Sequence, residues 1–233
     1  MTVAADPLFE IDGEEVPLRI QRHRQARRIS LRVDVRDGSV VLVLPHRVRV
    51  QEGLAFAVSK AEWLVDRRAA LPPPVPLADG ALLPLRGVSH RVVAEPRRPA
   101  RVNVVGRSIV VGGDEDDLER RLLAWLRTQA RSDATERAEE MAAAVRRRLG
   151  RVSVRDPRSR WGSCSARGDL SFSWRLVLAP PWILDYVVAH EVSHLVHRHH
   201  GPSFWRTVER LVPDFEGARE WLRQAGAGLH RIG

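Results

Sequence analysis

The stretch that most constrains this 233-residue chain is residues 190–194, with the sequence H-E-V-S-H and the pattern H-E-x-x-H. It continues an apolar run, residues 182–189, which follows two prolines. Proline is tolerated in the first turn of a helix, where the amide groups lack helical partners. Residues four apart on a helix share one face, so the imidazoles of His190 and His194 come together with Glu191 beside them. The stretch therefore predicts a helix that holds a metal ion.

The third metal ligand has to come from another residue, because catalytic zinc takes three protein ligands. His197 lies almost one turn beyond His194, and a third imidazole on one straight helix forms a row that closes a tetrahedron poorly. We expect the helix to end near His199 or His200, since Gly201-Pro202 follows. A residue at that break can fold back, so we predict His200 as the ligand. His197 is then a supporting or substrate-side group, and His199 an exposed residue of the helix end.

One Zn²⁺ ion per chain is the predicted cofactor, and Glu191 is the predicted acid and base. Zinc is a Lewis acid that activates water near neutral pH, and Glu191 is close enough to take the proton and return it to a leaving nitrogen. Tyr186, one turn before His190, either polarises an oxyanion or belongs to the core. Asp214 either orients a ligand imidazole or caps a helix. These residues indicate a metal-dependent hydrolase.

Composition limits the class of protein and its partners. Hydrophobic residues make up 44% of the chain, enough for a folded core. Lys and Arg number 38 against 29 Asp and Glu, a net charge of +9, and this basic surface predicts at most weak contact with nucleic acid. Cys164 is the only cysteine, residues 1–7 show no secretory signal, and no apolar run approaches about 20 residues. We expect a cytoplasmic protein with no membrane partner; the oligomeric state is not indicated.

The periodicity of apolar residues predicts an α+β fold. Residues 28–33 and 39–44 read as a hairpin around Asp37-Gly38, and residues 50–68 as one amphipathic helix. A long helix is predicted for residues 113–148. We predict a β-rich N-terminal half with one inserted helix, residues 1–112, and a catalytic region in which the metal-binding helix packs against a small sheet, residues 113–233, or one continuous domain. The clearest linker is the proline-rich stretch 72–76, and we find no sequence repeat.

Four segments of the second half carry a family resemblance. They are R-W-G-S-C-S at 160–165, F-S-W-R-L at 172–176, Y-V-V-A-H-E-V-S-H-L at 186–195 and H-G-P-S-F-W at 200–205. Together they closely resemble the YgjP-like metallopeptidases, zincin-like proteins related in motif to SprT-like and Wss1-like proteases. The resemblance implies a zincin-like catalytic region. It also implies His190, His194 and His200 as ligands and Glu191 as the catalytic acid and base.

The resemblance implies a zinc metallopeptidase that acts on a peptide or protein. The segment around Trp161 is then the edge of a sheet, and its backbone aligns an extended peptide. Cys164 is expected to pack beside the metal-binding helix, since a fourth protein ligand would close the site. Two alternatives remain. An arginine-rich surface suits a nucleotide phosphohydrolase, although no Gly-rich phosphate loop is visible, and the net charge suits a DNA-associated protease, although no zinc finger or helix-turn-helix signature is evident.

Overall fold

The protein forms two compact units, Met1–Pro73 and Pro74–Gly233, in a computed structural model that describes residues 8–11 and 13–233. The signal-peptide expectation concerns residues 1–7, which lie outside the described residues. The division falls in the proline-rich stretch and not at residue 112. The physical reason is that the β-rich segment after residue 74 shares one core with the helices that follow it. Among the described residues, none of the helices combines the length and apolar character of a membrane span.

The N-terminal unit is built on a four-stranded sheet. Its strands are β1 (Leu8–Ile11), β2 (Glu14–His23), β3 (Ser30–Val33) and β4 (Val40–Pro45). Their order is β1-β2-β4-β3, with β2 parallel to β4 and the two outer pairs antiparallel. The predicted hairpin is present as β3 and β4, and its turn includes Gly38 with φ +73°. A left-handed φ of this kind favours glycine, which is why Asp-Gly is a turn signal.

The single helix predicted for residues 50–68 is wrong in its middle. The structure has two helices, α1 (Val50–Val58) and α2 (Ala61–Ala69). Ser59 donates its hydroxyl to the Phe56 carbonyl at 2.8 Å, and a side chain that competes for helical carbonyls favours a helix end. Trp63, in the second of these helices, is 44% exposed.

The C-terminal unit begins with a second four-stranded sheet. Its strands are β5 (Leu82–Leu85), β6 (Val88–Glu95), β7 (Val102–Val105) and β8 (Ser108–Gly112). The order is β5-β6-β8-β7, with the central pair parallel and the outer pairs antiparallel. This is the same order and the same sense of pairing as in the first sheet. The repeat that the sequence does not show is therefore present in the topology.

The long helix α3 (Leu118–Ala144) crosses the core of this unit. It buries one side chain in every turn or so, and these are Leu118, Leu122, Leu126, Ala130, Ala134, Ala138 and Met141. The helix was predicted to run to residue 148, but it ends earlier, at Ala144, and Arg146 beyond its end has a φ of +53°. The amide of Arg147 donates to the Ala142 carbonyl at 3.0 Å, which closes the helix end.

A small sheet and three helices complete the unit. The strands are β9 (Val152–Arg155), β10 (Gly162–Cys164) and β11 (Leu170–Ser173), and the helices are α4 (Pro181–Ser193), α5 (Pro202–Leu211) and α6 (Phe215–His230). The strand order is β10-β11-β9, so β10 is an edge strand. Helix α4 contacts β10, α3, α5 and α6. The predicted α+β fold, with the H-E-x-x-H helix against a small sheet, is confirmed.

Candidate active site

Three imidazoles converge at the end of α4. His190 lies in the last turn of the helix, His194 follows its final residue, and His200 lies in the loop before α5. Their candidate ligand nitrogens all lie within 4.8 Å of one another. The Nε2 atoms of His190 and His200 are 3.1 Å apart. Lone pairs that converge in this way can share one cation.

The helix ends earlier than the sequence predicts. It was expected to continue to His199 or His200, but α4 ends at Ser193. The last turn is tightened by short-range bonds, because the amide of His194 donates to the Glu191 carbonyl at 3.2 Å and the next amides follow the same pattern. The loop that follows brings His200 back to the other two rings. The imidazole of His200 thus approaches the other two from the loop, and not along the face of α4 that carries His190.

The main chain of His197 holds His194 in position. The Nδ1 atom of His194 lies 3.0 Å from the His197 carbonyl and donates to it. That bond leaves the Nε2 lone pair of His194 for a cation. The ring of His197 points elsewhere, since its Nε2 donates to the Thr207 hydroxyl at 3.1 Å, and this hydroxyl donates to the Ser203 carbonyl. The group expected to support the site does so through its carbonyl oxygen.

The environment of His190 fits a metal ligand. Burial, together with the nearby His194, His200 and Arg219, lowers the pKa of His190 to about 4, so the ring is neutral and has a lone pair at neutral pH. Three imidazoles form a donor set that zinc and similar divalent ions prefer. The residues present therefore fit such an ion.

An aromatic wall packs behind the three imidazoles. Phe204 of α5 is fully buried, and its ring centroid lies 4.7–4.9 Å from those of His190, His194 and His200. Trp205 stacks over His200 at 6.0 Å. Packing of this kind restricts the ring orientations, so the convergence of the nitrogens is preorganised.

Glu191 is buried between α4 and the edge strand. It is 6% exposed, and burial raises its pKa to about 7, although the positive charge of Arg160 opposes the rise. Gly162 of β10 lies directly against it, because a Cβ at this position would be 2.6 Å from Glu191 Cγ and Oε1. The absence of a side chain at residue 162 therefore allows the sheet edge to reach the carboxylate.

Two clefts open on either side of this carboxylate. The first, which we call the basic cleft, has a volume of about 700 Å³ and runs along β10 past His194 and His200. The second, the aromatic cleft, has about 470 Å³ and lies beside α6. Both are lined by Arg160, Gly162, His190 and Glu191. An extended chain that follows the edge of β10 would pass the three imidazoles.

The comparisons with known proteins identify the family of the chain. A family model described as YgjP-like, metallopeptidase domain, matches residues 27–225. The chain belongs to this family. A solved structure, the metallopeptidase zymogen of Pyrococcus abyssi abylysin, is similar at 25% identity over 43% of this chain and 96% of that chain, with a TM-score of 0.35. No curated protein gives a significant match. The YgjP-like protein is a metal-dependent hydrolase of the metallopeptidase class.

Two of the weaker candidates line the aromatic cleft. Trp161 stacks on the His230 ring at 4.6 Å, and a Cβ on Gly226 would lie 3.1 Å from it. Tyr186 is buried, its ring lies 6.1 Å from that of His190, and burial raises the pKa of its hydroxyl. Both side chains face the space beside Glu191, where part of a substrate would lie.

Asp214 and Cys164 are placed differently from the ligands. The Asp214 carboxylate lies over the first turn of α6 near Gly217, and within the described residues it makes no hydrogen bond to a ligand imidazole. The Cys164 thiol is half-buried, contacts the Ser165 carbonyl at 3.4 Å and lies outside the three-histidine group. Burial raises its pKa, which favours the neutral thiol over a thiolate ligand.

Arg219 is a site residue that sequence reasoning missed. Its guanidinium lies 4.9 Å from the Trp205 ring centroid and lines the aromatic cleft. Its charge lowers the pKa of both Tyr186 and His190. Residue 219 is 25 positions beyond the H-E-x-x-H stretch on another helix, and no local pattern connects the two. Only the packing of α6 on α4 brings them together.

Proposed function

We propose that this YgjP-like protein is a zinc-dependent peptidase in which His190, His194 and His200 hold one ion and Glu191 moves the proton. The observation that carries the proposal is a buried carboxylate next to three convergent imidazoles at the edge of a sheet. When bound, zinc supplies the Lewis acidity that activates water for attack on a carbonyl.

The roles of the protein's own residues follow from their positions. The Glu191 carboxylate takes the proton of the attacking water and returns it to the leaving amide nitrogen. The free edge of β10 pairs with an extended substrate through main-chain hydrogen bonds. The bond between His194 and the His197 carbonyl keeps the ligand ring in one tautomer. The proposed substrate is a peptide or an unfolded protein, and the cytoplasmic location stays a prediction.

The ligand assignment is tested by replacing histidines one at a time. We expect His200→Ala to lose the zinc that the wild-type protein retains at about one equivalent per chain, because two imidazoles hold the ion too weakly. His199→Ala is the matched control, since this neighbouring histidine is exposed and outside the group. Zinc is measured by atomic emission after gel filtration. Full zinc retention in His200→Ala would contradict the assignment.

The role of Glu191 is tested by Glu191→Gln, which preserves the shape of the side chain and removes its basicity. We expect the zinc content to be unchanged and the hydrolysis of an unfolded protein to fall by a factor on the order of 10²–10⁴. The same pair of proteins is assayed on nucleoside triphosphates and on protein bound to single-stranded DNA. Triphosphate cleavage without proteolysis would indicate the phosphohydrolase, and proteolysis only with DNA would indicate the DNA-associated protease.

A further inference from the structure

The basic cleft has a charge unlike the rest of the chain. Five arginines line it, and these are Arg147, Arg148, Arg160, Arg167 and Arg198. The single carboxylate among the lining residues is Glu191, at the metal site. The chain as a whole has 38 basic residues to 29 acidic ones. The ratio of five arginines to one carboxylate in the cleft is therefore a local concentration of positive charge and does not simply reflect the composition.

The arginines come from three segments that are joined to one another. Arg147 and Arg148 follow α3, Arg160 and Arg167 flank β10, and Arg198 lies in the loop after α4. The amide of residue 150 donates to the carbonyl of residue 168 at 3.1 Å, which joins the first segment to the turn after β10. Leu195, in the loop that carries Arg198, lies against the same turn, because a Cβ at residue 168 would be 3.3 Å from Leu195 Cδ2. The loop after α4 therefore packs on the turn after β10. The guanidinium groups therefore surround one strand edge.

Four of these arginines have no partner among the described residues. Some surface arginines are instead neutralised by nearby carboxylates, as in Arg86–Asp133 at 2.8 Å, Arg120–Asp117 at 2.6 Å and Arg223–Glu220 at 2.5 Å. The side chains of Arg147, Arg148, Arg167 and Arg198 make no hydrogen bond or ion pair with any of the described residues. They are exposed, and their donors are available to an anionic ligand.

We propose that the basic cleft selects peptide substrates that carry Asp or Glu side chains on one side of the scissile bond. The selection rests on the proposed peptidase function and names the substrate class of the same site. In a strand paired with β10, side chains alternate, so every second residue, spaced about 6.8 Å, faces the same wall. Two carboxylates at that spacing meet separate arginines. The aromatic cleft on the other side of Glu191 has apolar walls that include Trp161 and Leu222. Two further arginines line it, but Arg219 is paired with Glu216 at 4.0 Å and Arg223 with Glu220 at 2.5 Å.

A polypeptide fits this cleft better than a polynucleotide does. The edge of β10 offers main-chain donors and acceptors that pair with the amide groups of an extended peptide, and a sugar-phosphate backbone has no such groups. A chain with main-chain amides and spaced side-chain carboxylates can use both the strand edge and the arginines of the cleft.

The experiment compares matched peptides. One peptide carries three Glu residues N-terminal to a cleavable apolar segment, a second carries them C-terminal, and in two controls each Glu is replaced by the isosteric Gln. With the zinc-loaded protein we expect kcat/KM to be on the order of tenfold higher for one Glu peptide than for its Gln control, as two or three exposed arginine–carboxylate pairs allow. The preference should shrink as salt is raised.

The arginines are tested by charge reversal. In Arg167→Glu/Arg198→Glu, the ratio of kcat/KM for the Glu peptide to that for the Gln peptide should fall to one or below. Arg127→Glu/Arg131→Glu is the matched control, because it makes the same change of net charge at two exposed positions of α3 outside both clefts. That control should keep the wild-type ratio. Binding of labelled peptides to the Glu191→Gln protein, followed by fluorescence anisotropy, gives a second readout that needs no turnover.

The outcomes separate the two proposals. Equal cleavage and equal binding of the Glu and Gln peptides would overturn the selection and leave the peptidase intact. Tighter binding of a Glu peptide with no cleavage of any peptide would support the selection and contradict the peptidase. Single-stranded DNA that displaces the Glu peptide, binds more tightly and depends on the same arginines would overturn the proposal in favour of a polynucleotide site.

Discussion

Gly162 determines how closely the edge of β10 approaches Glu191. We expect Gly162→Ala to lower kcat/KM by a factor on the order of 10², because the new methyl group would lie 2.6 Å from Glu191 Cγ and must displace either the carboxylate or the strand. Zinc content should stay near one equivalent per chain, since the three imidazoles are not contacted by residue 162. Peptide hydrolysis measures kcat/KM, and zinc analysis of the same preparation measures the metal content.

Gly201→Ala is the control for that substitution. Residue 201 also lies next to the site, but a Cβ there has nothing within 4 Å, and its φ of −77° suits any residue. We expect its kcat/KM to match the wild type. If Gly162→Ala were as active as Gly201→Ala, the close approach of the strand to the carboxylate would not be needed for activity.

Single residues could be predicted where a local pattern carries the chemistry. The spacing of His190, His194 and Glu191 follows from the helix period, and the Gly-Pro break after His200 indicates a chain that can fold back. The structure does bring the three histidines together. The support of His194 by a carbonyl oxygen and the approach of Arg219 depend on tertiary packing, which leaves no local pattern.

At the scale of secondary structure, the end of α3 is strained by Arg146 in the left-handed region. We expect Arg146→Gly to raise the free energy of unfolding by about 0.5–1 kcal/mol, because glycine adopts this conformation without a steric penalty. The midpoint of urea denaturation measures the change. Arg127→Gly, within the same helix, should instead lower the stability by about 1 kcal/mol. Two shifts of the same sign would contradict the strain at Arg146.

The loop between α4 and α5 should depend on the metal. His194 begins this loop and His200 lies near its end, so an ion shared with His190 closes the segment between them. We expect a chelator to increase hydrogen exchange at residues 195–201 and to lower the thermal midpoint, with a stabilisation of about 4 kcal/mol at free zinc a thousand times Kd. In His199→Ala the same response to chelation should persist. Unchanged exchange in this loop on zinc removal would count against the site.

Helix starts could be predicted better than helix ends. Pro181 and Pro202 mark the starts of α4 and α5 correctly, because a proline in the first turn acts through its own geometry. The predicted ends of α3 and α4 are wrong. Helix α6 continues through its Ala-Gly residues to His230, since Gly226 packs closely against Trp161 and tertiary packing offsets their weak helix propensity.

At the scale of the whole molecule, the repeated sheet topology could not be predicted from the sequence. Both sheets place a parallel pair between two antiparallel pairs, and each hairpin turn contains a glycine with positive φ. These glycines are Gly13, Gly38, Gly87 and Gly106. A four-stranded sheet of this order needs only alternating apolar positions and such turns. Many unrelated sequences satisfy those conditions, so the two copies share topology without recognisable identity.

The two units have separate cores, and this separation has a thermodynamic consequence. Leu42 is fully buried among residues of the N-terminal unit, and Leu122 among those of the C-terminal unit. We expect Leu42→Ala to lower the free energy of unfolding of the first unit by about 2–5 kcal/mol and to leave zinc content at the wild-type value. Leu122→Ala should destabilise the second unit by a similar amount and weaken zinc retention, because α3 packs against α4.

Calorimetry with and without zinc assigns the two unfolding transitions, since only the transition of the C-terminal unit should respond to the ion. A single transition that both substitutions lower equally would mean that the units unfold together.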